Sequence, residues 1–264
     1  MDKSQVVIAV VNNKGGVGKT TVAVNLAAAL AGARRRVLLV DLDSQASASL
    51  WLGVPRSHLR PSSANCLLQE LPAQHAIRAT GVAHLDLITG SVELANADLA
   101  LADVRGRELT LKVSLQRIRS QYDLIILDCS PNLSLLGVNA LVAADALIVP
   151  VTPQPLALDG LVSLLASMET VRLRLNTRTH LLGILLSIVD PAARKAPALM
   201  KQLRERHGSD VFRTEIIASR ALEEAPSTAR TVFQFAPRSK AADGFRRLAT
   251  EVLERIRARR SATA

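Results

Sequence analysis

Two spacings of apolar residues alternate along the chain, and together they predict strands followed by helices. Predominantly apolar runs, typical of buried strands, are found at 6–11, 37–41, 84–88, 122–128, 146–151 and 181–188, and a shorter strand is predicted at 211–217. Apolar residues at every third or fourth position predict the longer helices, at 18–32, 133–144, 156–174 and 240–260. With no internal repeat and no long linker, this alternation predicts an α/β fold. We expect a single doubly wound, mostly parallel sheet with helices on both faces, in one domain over residues 1–264.

The composition agrees with such a fold. Apolar residues make up 48% of the 264 positions and aromatic residues only 2%, so the core must consist of Leu, Val, Ile and Ala. No apolar run approaches the ~18 residues that a membrane span needs, and the N-terminus lacks a signal-peptide pattern. With only Cys66 and Cys129 available, we expect no disulfide framework and a reducing cytoplasm.

Charge is unevenly distributed along the chain. The net charge is +10, and residues 169–264 hold 19 Lys and Arg against 10 Asp and Glu, whereas residues 1–168 hold 14 against 13. A generally basic, solvated surface would explain the total but not this segregation. We therefore expect a polyanionic partner, with nucleic acid favoured over a membrane surface.

The stretch 12–21, N-N-K-G-G-V-G-K-T-T, links the first predicted strand to the first predicted helix. Its glycines permit backbone angles that let successive N–H groups surround an anion. Lys19 would contact β- and γ-phosphates, and the Thr20 hydroxyl would bind Mg²⁺. The alternative is a flexible glycine turn with two solvated lysines, but the strand–loop–helix context favours phosphate binding.

This loop departs from the usual G-x-x-x-x-G-K-[ST] pattern. Asn13 replaces the first glycine, and a second lysine, Lys14, follows it. A lysine this early in the loop cannot easily fold back onto its own nucleotide. It is positioned to reach a nucleotide held by a facing subunit.

Carboxylates follow two of the predicted strands at the sheet edge where open α/β sheets bind ligands. Asp41 and Asp43 are one residue apart on extended chain, so we expect them to share a face and to repel unless a cation or water lies between them. The alternative is a pair of turn-capping aspartates. Asp128 ends another apolar strand, a Walker B pattern that contacts the Mg²⁺ shell.

These motifs resemble those of a known superfamily. K-G-G-V-G-K-T-T and V-D-L-D-S-Q at 40–45 resemble the deviant-Walker ATPases of the ParA/MinD superfamily, most closely the ParA (Soj-like) partition ATPases. The resemblance extends from about Val6 to Arg257 and includes L-E-E-A-P-S at 222–227. One departure is Ser44, where the family often has proline.

The resemblance implies a P-loop NTPase that binds ATP and Mg²⁺ and has weak, partner-stimulated ATPase activity. Asp43 resembles the catalytic carboxylate that positions water, and Lys14 would act catalytically across a dimer. The implied metal set is Thr20, Asp41 and Asp128. The implied nucleotide-binding set is Lys14, Gly15, Gly16, Val17, Gly18, Lys19, Thr20 and Thr21.

In relatives, basic residues before the E-A-P-S segment take part in DNA binding. Here the two corresponding arginine positions hold Ala218 and Ala221, with Arg220 between them. We therefore expect a redistributed basic patch, although any single member has an alternative as an ordinary surface side chain. Its candidate residues are Arg194, Lys195, Arg213, Arg220, Arg230, Arg238, Lys240, Arg246 and Arg247.

The expected function is an ATP-dependent homodimerisation switch. The dimer would bind nonspecific double-stranded DNA on the nucleoid, and a ParB-like or other adaptor would stimulate hydrolysis. The switch would drive the partitioning or positioning of a DNA or protein-complex cargo. A rival is a MinD-like, membrane-associated positioning ATPase, whose surface helix would be 240–260; a polar C-terminal tail favours packing on the sheet instead. Another rival, a metabolic relative that binds a metal cluster, would need a second cysteine to match Cys129, and Cys66 does not resemble it.

Overall fold

The structure is a computed structural model that describes residues 5–131 and 134–263. Within these ranges one sheet has seven strands in the order β3-β4-β2-β5-β1-β6-β7. All neighbouring strands run parallel except β3 and β4. The strands are β1 Val6–Val10, β2 Val37–Leu42, β3 Ile77–Ala79, β4 Leu85–Ile88, β5 Leu124–Cys129, β6 Ala146–Val151 and β7 His180–Leu186.

Helices connect and cover the strands, with short 3₁₀ turns between some of them. They are α1 Lys19–Gly32, α2 Ser47–Trp51, α3 Ser63–Leu68, α4 Ala97–Ala100, α5 Thr110–Gln116, α6 Leu135–Ala143, α7 Pro155–Arg174, α8 Ala196–His207, α9 Arg220–Glu224, α10 Val232–Phe235 and α11 Lys240–Thr263. The predicted start of α6 at residue 133 lies outside the described residues.

Two apolar cores lie on opposite faces of the sheet. Because side chains alternate along a strand, Val7 and Ala9 of β1 face one core and Ile8 and Val10 the other. The first core is covered by α3, α5, α6 and α7, and the second by α1, α2, α10 and α11. The prediction of a mostly parallel sheet with helices on both faces is confirmed.

The predicted strand at 211–217 is wrong. The segment makes only isolated bridges, from Val211 to Ile184 and from Ile217 to Val189. Between them the backbone N–H groups of Arg213 and Thr214 donate to the buried carboxylate of Glu251, at 2.8 and 2.9 Å. A side chain of α11 therefore takes the donors that a continuous ladder would have used.

The last helix packs on the second core. Phe245, Leu248 and Val252 of α11 are fully buried beside residues of α1. The apolar stripe of α11 is thus occupied by the protein's own interior, as the packing alternative predicted. Among the described residues, no helix has the length and apolar character to cross a bilayer.

Candidate nucleotide site at the carboxyl edge of the sheet

The loop between β1 and α1 forms a concave turn with outward-facing space. Gly16 and Gly18 have φ of 74° and 83°, in the left-handed region that favours glycine. A Cβ atom at Gly15 or Gly16 would meet no atom within 4 Å apart from its chain neighbours, so there is open space beside both residues. Lys19, Thr20 and Thr21 then begin α1. Glycine angles, open space and a helix start together make an anion-binding turn.

Distant residues hold this turn in place. At its entrance the buried Asn12 amide donates to the Pro150 carbonyl oxygen at 2.7 Å, and its Oδ1 accepts the Lys14 N–H at 2.9 Å. Near its exit the Ser187 Oγ donates to the Val17 carbonyl oxygen at 2.7 Å. Residues at the ends of β6 and β7 thereby hold the loop in place, although its sequence motif is local.

Lys19 is buried at the centre of the turn. Its Nζ donates to the carbonyl oxygen of Lys14 at 3.0 Å. Burial lowers the pKa of Lys19, while the nearby carboxylates of Asp128 and Asp43 oppose that change. The ammonium group therefore sits between the loop backbone and two acids, where a phosphate could replace the carbonyl as its partner.

The second lysine, Lys14, is half-buried, and its side chain contacts a residue outside the turn. Its Nζ lies 3.4 Å from the Oε1 of Gln154, the residue before α7. This long, exposed hydrogen bond is weak. Lys14 is therefore bound within its own subunit by a weak hydrogen bond.

Asp41 and Asp43 have different surroundings. Asp41 is fully buried in β2, and its carboxylate accepts hydrogen bonds from the Asp43 N–H at 3.0 Å and from the N–H and Oγ of Ser49 at 2.9 and 2.7 Å. Burial raises the pKa of Asp41 to about 6, although these hydrogen bonds oppose the rise. Asp43 is half-buried, and its Oδ1 accepts the Gln45 N–H at 2.9 Å. Asp41 therefore anchors the turn that presents Asp43.

Gly90 touches this turn from the neighbouring strand. A Cβ atom there would lie 2.5 Å from the Asp43 carbonyl oxygen and 2.8 Å from Oδ1 of Asp41. Its N–H donates to the Ser49 Oγ at 3.0 Å. Glycine is required at this position because the Asp43 and Asp41 oxygens leave no room for a side chain. The sequence alone shows only that a small residue follows β4.

Asp128 lies at the centre of the same edge. In the sheet register it is paired with Val10 on one side and Asp41 on the other. Both of its carboxylate oxygens are buried, and within the described residues neither has a hydrogen-bond partner of good geometry. Burial raises the pKa of Asp128 well above its usual value and the Asp41 carboxylate adds to the rise, while Thr20 and Lys19 oppose it.

A buried carboxylate without a partner is costly, and a cation relieves that cost. Asp128, with Thr20 beside it, therefore has the oxygen donors that Mg²⁺ prefers. Asp41 is also close, but its oxygens are already used by Ser49 and Asp43. The donor set fits a magnesium ion with Thr20 and Asp128 as the more direct ligands.

The basic candidates are all exposed, and some of them lie near the carboxyl edge of the sheet. The Ala218 N–H donates to the Val189 carbonyl oxygen just beyond β7, and so places Arg220 at that edge. Arg194 and Lys195 follow the same end of β7. Arg230 precedes α10, whose Val232 is tied to α1.

Three candidates form ion pairs within the chain. Arg213 pairs with Glu254, Arg220 with Glu224 and Arg246 with Asp243, at 2.6, 3.0 and 2.6 Å. A surface groove that contains Arg213, Arg246 and Arg247 also contains the carboxylates of Glu251 and Glu254. The predicted patch is therefore basic but not uniform. The described residues show no ion pair for the other six, which are Arg194, Lys195, Arg230, Arg238, Lys240 and Arg247.

Both cysteines are buried free thiols. Burial raises the pKa of Cys66 to about 11 and also raises that of Cys129, where the adjacent Asp128 carboxylate adds to the effect. A high thiol pKa and burial are typical of inert packing residues.

Known proteins resemble this chain along most of its length. A family model described as AAA domain matches residues 5–181. The chromosome-partitioning ATPase Soj of Thermus thermophilus is 43% identical over 254 residues, which cover 94% of this chain and 96% of that protein. The sporulation initiation inhibitor protein Soj of Bacillus subtilis is 37% identical over 246 residues, or 93% of this chain and 97% of that protein.

Among solved structures, cobyrinic acid a,c-diamide synthase from Mycobacterium smegmatis, with a bound ATP analogue and magnesium, superposes with a TM-score of 0.82. The two sequences are 31% identical, and the superposition covers 94% of this chain and 94% of that one.

Proposed function

Because this chain belongs to the ParA/Soj family of chromosome-partitioning ATPases, we propose that it binds and hydrolyses Mg-ATP at the carboxyl edge of the sheet and uses that cycle to control its binding to DNA. The observation that carries the nucleotide part is the juxtaposition of the glycine turn with a buried, unpartnered carboxylate. Two residues at the end of the turn, Lys19 and Thr20, lie close to the Asp128 carboxylate, whose oxygens have no good hydrogen-bond partner among the described residues. Such a pairing suits phosphates that carry a divalent cation.

The phosphates would bind in the turn from Gly15 to Thr21, at the N-terminus of α1. Lys19 would exchange the Lys14 carbonyl oxygen for phosphate oxygens, which are stronger partners for an ammonium group. Thr20 and Asp128 would hold Mg²⁺, with Asp41 behind them. When bound, the ion neutralises phosphate charge and fixes the phosphate geometry.

Hydrolysis would depend on Asp43. Its carboxylate stands on a turn anchored by Asp41 and is only half-buried, so it can accept a proton or orient a water molecule at the site. The role of Asp41 would then be to position Asp43. Hydrolysis by the protein alone would be weak. A ParB-like or other adaptor protein would increase its rate.

Dimerisation would use Lys14. In the single subunit, the Lys14 side chain makes a long hydrogen bond to Gln154. The phosphates of a nucleotide on a second subunit would displace this contact, because charge-assisted hydrogen bonds are stronger. ATP would thus join two subunits, and hydrolysis would separate them.

The ATP-bound dimer would bind double-stranded DNA without sequence preference and remain on the nucleoid. The supporting feature is the exposed basic set, of which Arg194, Lys195 and Arg220 follow β7 at the carboxyl edge, where two subunits would bring their copies together. Contacts from such side chains to phosphate fix position but carry no sequence information. The few aromatic residues, 2% of the chain, offer little stacking for single strands.

The test is a titration onto two unrelated duplexes at several salt concentrations, with Mg²⁺ and either a non-hydrolysable ATP analogue or ADP. We expect equal affinity for both duplexes, weaker binding with ADP and a steep loss with salt. Roughly three phosphate contacts per subunit would give a log–log slope near −5. A strong preference for one duplex, or an affinity indifferent to salt, would overturn the DNA part of the proposal.

A further inference from the structure

A five-residue helix, α2, joins the Asp43 turn to the C-terminal part of the chain. It runs from Ser47 to Trp51, and Trp51 is the chain's single tryptophan. The indole is only 5% exposed, and its Nε1 donates to the Arg230 carbonyl oxygen at 2.8 Å. One partly buried hydrogen bond therefore spans 179 positions of sequence and ends at a residue of the basic set.

The same helix is fixed to the nucleotide site. Ser49, two residues before Trp51, donates through both its N–H and its Oγ to the Asp41 carboxylate. Asp41 in turn accepts the N–H of Asp43. Because α2 has little more than one turn, Ser49 and the indole of Trp51 lie on one short element.

The segment that receives the indole is held tightly on its other side. The Val232 N–H donates to the Oδ1 of the fully buried Asn25 on α1, at 2.9 Å. Ala229 adopts a left-handed conformation with φ of 53°, and a Cβ atom on Gly53 would lie 3.7 Å from its side chain. Residues 229–232 therefore contact both α1 and the residues at the end of α2. The same helix α1 begins with Lys19 and Thr20.

We propose that Trp51 is a positioning residue that couples the state of the nucleotide site to the DNA affinity of the segment around Arg230. The inference rests on the proposed function, because it requires that the protein binds DNA. A shift of the Asp43 turn on nucleotide binding would pass through Ser49 and the indole to the backbone at Arg230, and would change how that arginine meets a phosphate. Coupling of this kind is reciprocal, so DNA would alter nucleotide affinity by the same factor.

The test compares coupling factors, defined as the DNA Kd with ADP divided by the DNA Kd with a non-hydrolysable ATP analogue. Trp51→Phe keeps an apolar ring but removes the N–H donor. We expect it to bind the ATP analogue like the wild type in the absence of DNA, and to lose about five-fold or more of the coupling factor. Trp51→His, with a ring N–H of its own, should recover part of the loss.

A matched control is Tyr122→Phe, which also removes one donor from a buried aromatic residue. The Tyr122 hydroxyl donates to the Asp86 carboxylate at 2.8 Å, away from both α2 and Arg230. A merely structural role for Trp51 would make the two variants alike, with lower thermal stability and an unchanged coupling factor. That result would overturn the inference.

A second measurement needs no variant. Because the emission of the wild-type chain comes from one tryptophan, it reports directly on the indole. Adding the ATP analogue with Mg²⁺, and then duplex DNA, should each shift the emission maximum. If the wild-type protein binds DNA more tightly with ATP yet its emission stays constant, Trp51 is not in the path. If the wild type fails to bind DNA at all, the proposed function fails instead, and the two failures are distinct.

Discussion

The Nζ of Lys19 donates to the carbonyl oxygen of Lys14, 3.0 Å away, so the phosphate-binding turn closes over its own ammonium group. The turn is therefore already shaped for an anion, with the backbone carbonyl in the place of the ligand. In the proposed binding mode, a phosphate oxygen would replace this carbonyl oxygen as the partner of Lys19.

Lys19→Ala should abolish ATP binding. The substitution removes the cation that would contact the phosphates, and leaves Asp128 and Asp43 without their nearest opposing charge. Isothermal titration calorimetry with Mg-ATP measures the effect, and the exposed Lys112→Ala on α5 serves as a charge-matched control. Binding by the Lys19 variant with wild-type affinity would contradict the site assignment.

Asp43→Ala should bind Mg-ATP but lose turnover, because Asp43 is proposed to act on water and not on the phosphates. Loss of a positioned acid–base group lowers the rate by about 10²-fold or more. A phosphate-release assay at saturating ATP gives the rate, and the calorimetric titration confirms that the site is filled. Hydrolysis at the wild-type rate would show that another group performs this role.

Lys14→Ala, combined with Asp43→Ala to prevent hydrolysis, should bind ATP and remain monomeric in analytical ultracentrifugation. Gln154→Ala on the same background is the informative control. It removes only the intrasubunit contact of Lys14, so it should dimerise at least as well as Asp43→Ala alone. A stable ATP dimer formed by the Lys14 variant would exclude the role of this lysine across the interface.

Gly90→Ala should damage the site without removing any of the proposed ligands. The added Cβ would stand 2.5 Å from the Asp43 carbonyl oxygen, so the turn must shift. Overpacking of this kind costs about 1–3 kcal/mol, and we expect a lower Tm together with reduced turnover. Gly81→Ala, before β4, has only a flexible Gln234 side chain near it, at 3.9 Å, and should be nearly neutral. Equal effects of the two substitutions would argue against crowding at Asp43.

Arg238→Ala should weaken DNA binding in a salt-dependent manner. Arg238 is exposed and forms no ion pair with the described residues, so its charge is available to a phosphate. Loss of one contact from each of two subunits should make the log–log salt slope shallower by about 1.8. Arg34→Ala, at the turn between α1 and β2 on the opposite edge of the sheet, should leave the slope unchanged. The reverse pattern would place the DNA surface at that opposite edge.

Local patterns in the sequence were sufficient to predict the glycine turn, Lys19, Thr20 and Asp128, because strand, turn and first helical residues are consecutive in the chain. The sheet followed from apolar runs for the same reason. The three-residue strand β3 was missed because so short and half-exposed a segment has no clear periodicity.

Contacts between distant residues could not be predicted. The supports of the turn come from Pro150 and Ser187, 138 and 170 positions away from their partners. The spacing of Asp41 and Asp43 predicted that the two carboxylates share a face, but nothing local indicated that Ser49 would bind the Asp41 carboxylate. The predicted strand at 211–217 was wrong because Glu251, far along the chain, competes for its backbone donors.

The contact between Lys14 and Gln154 has a consequence for how two subunits would recognise each other. In a symmetric pair, each Lys14 leaves its own Gln154 and serves the nucleotide of the other subunit. A filled subunit that meets an empty one gains only one of the two bridges, since its own lysine finds no phosphate opposite. The proposed exchange would thus favour pairing of two subunits that both hold ATP over pairing of a filled subunit with an empty one.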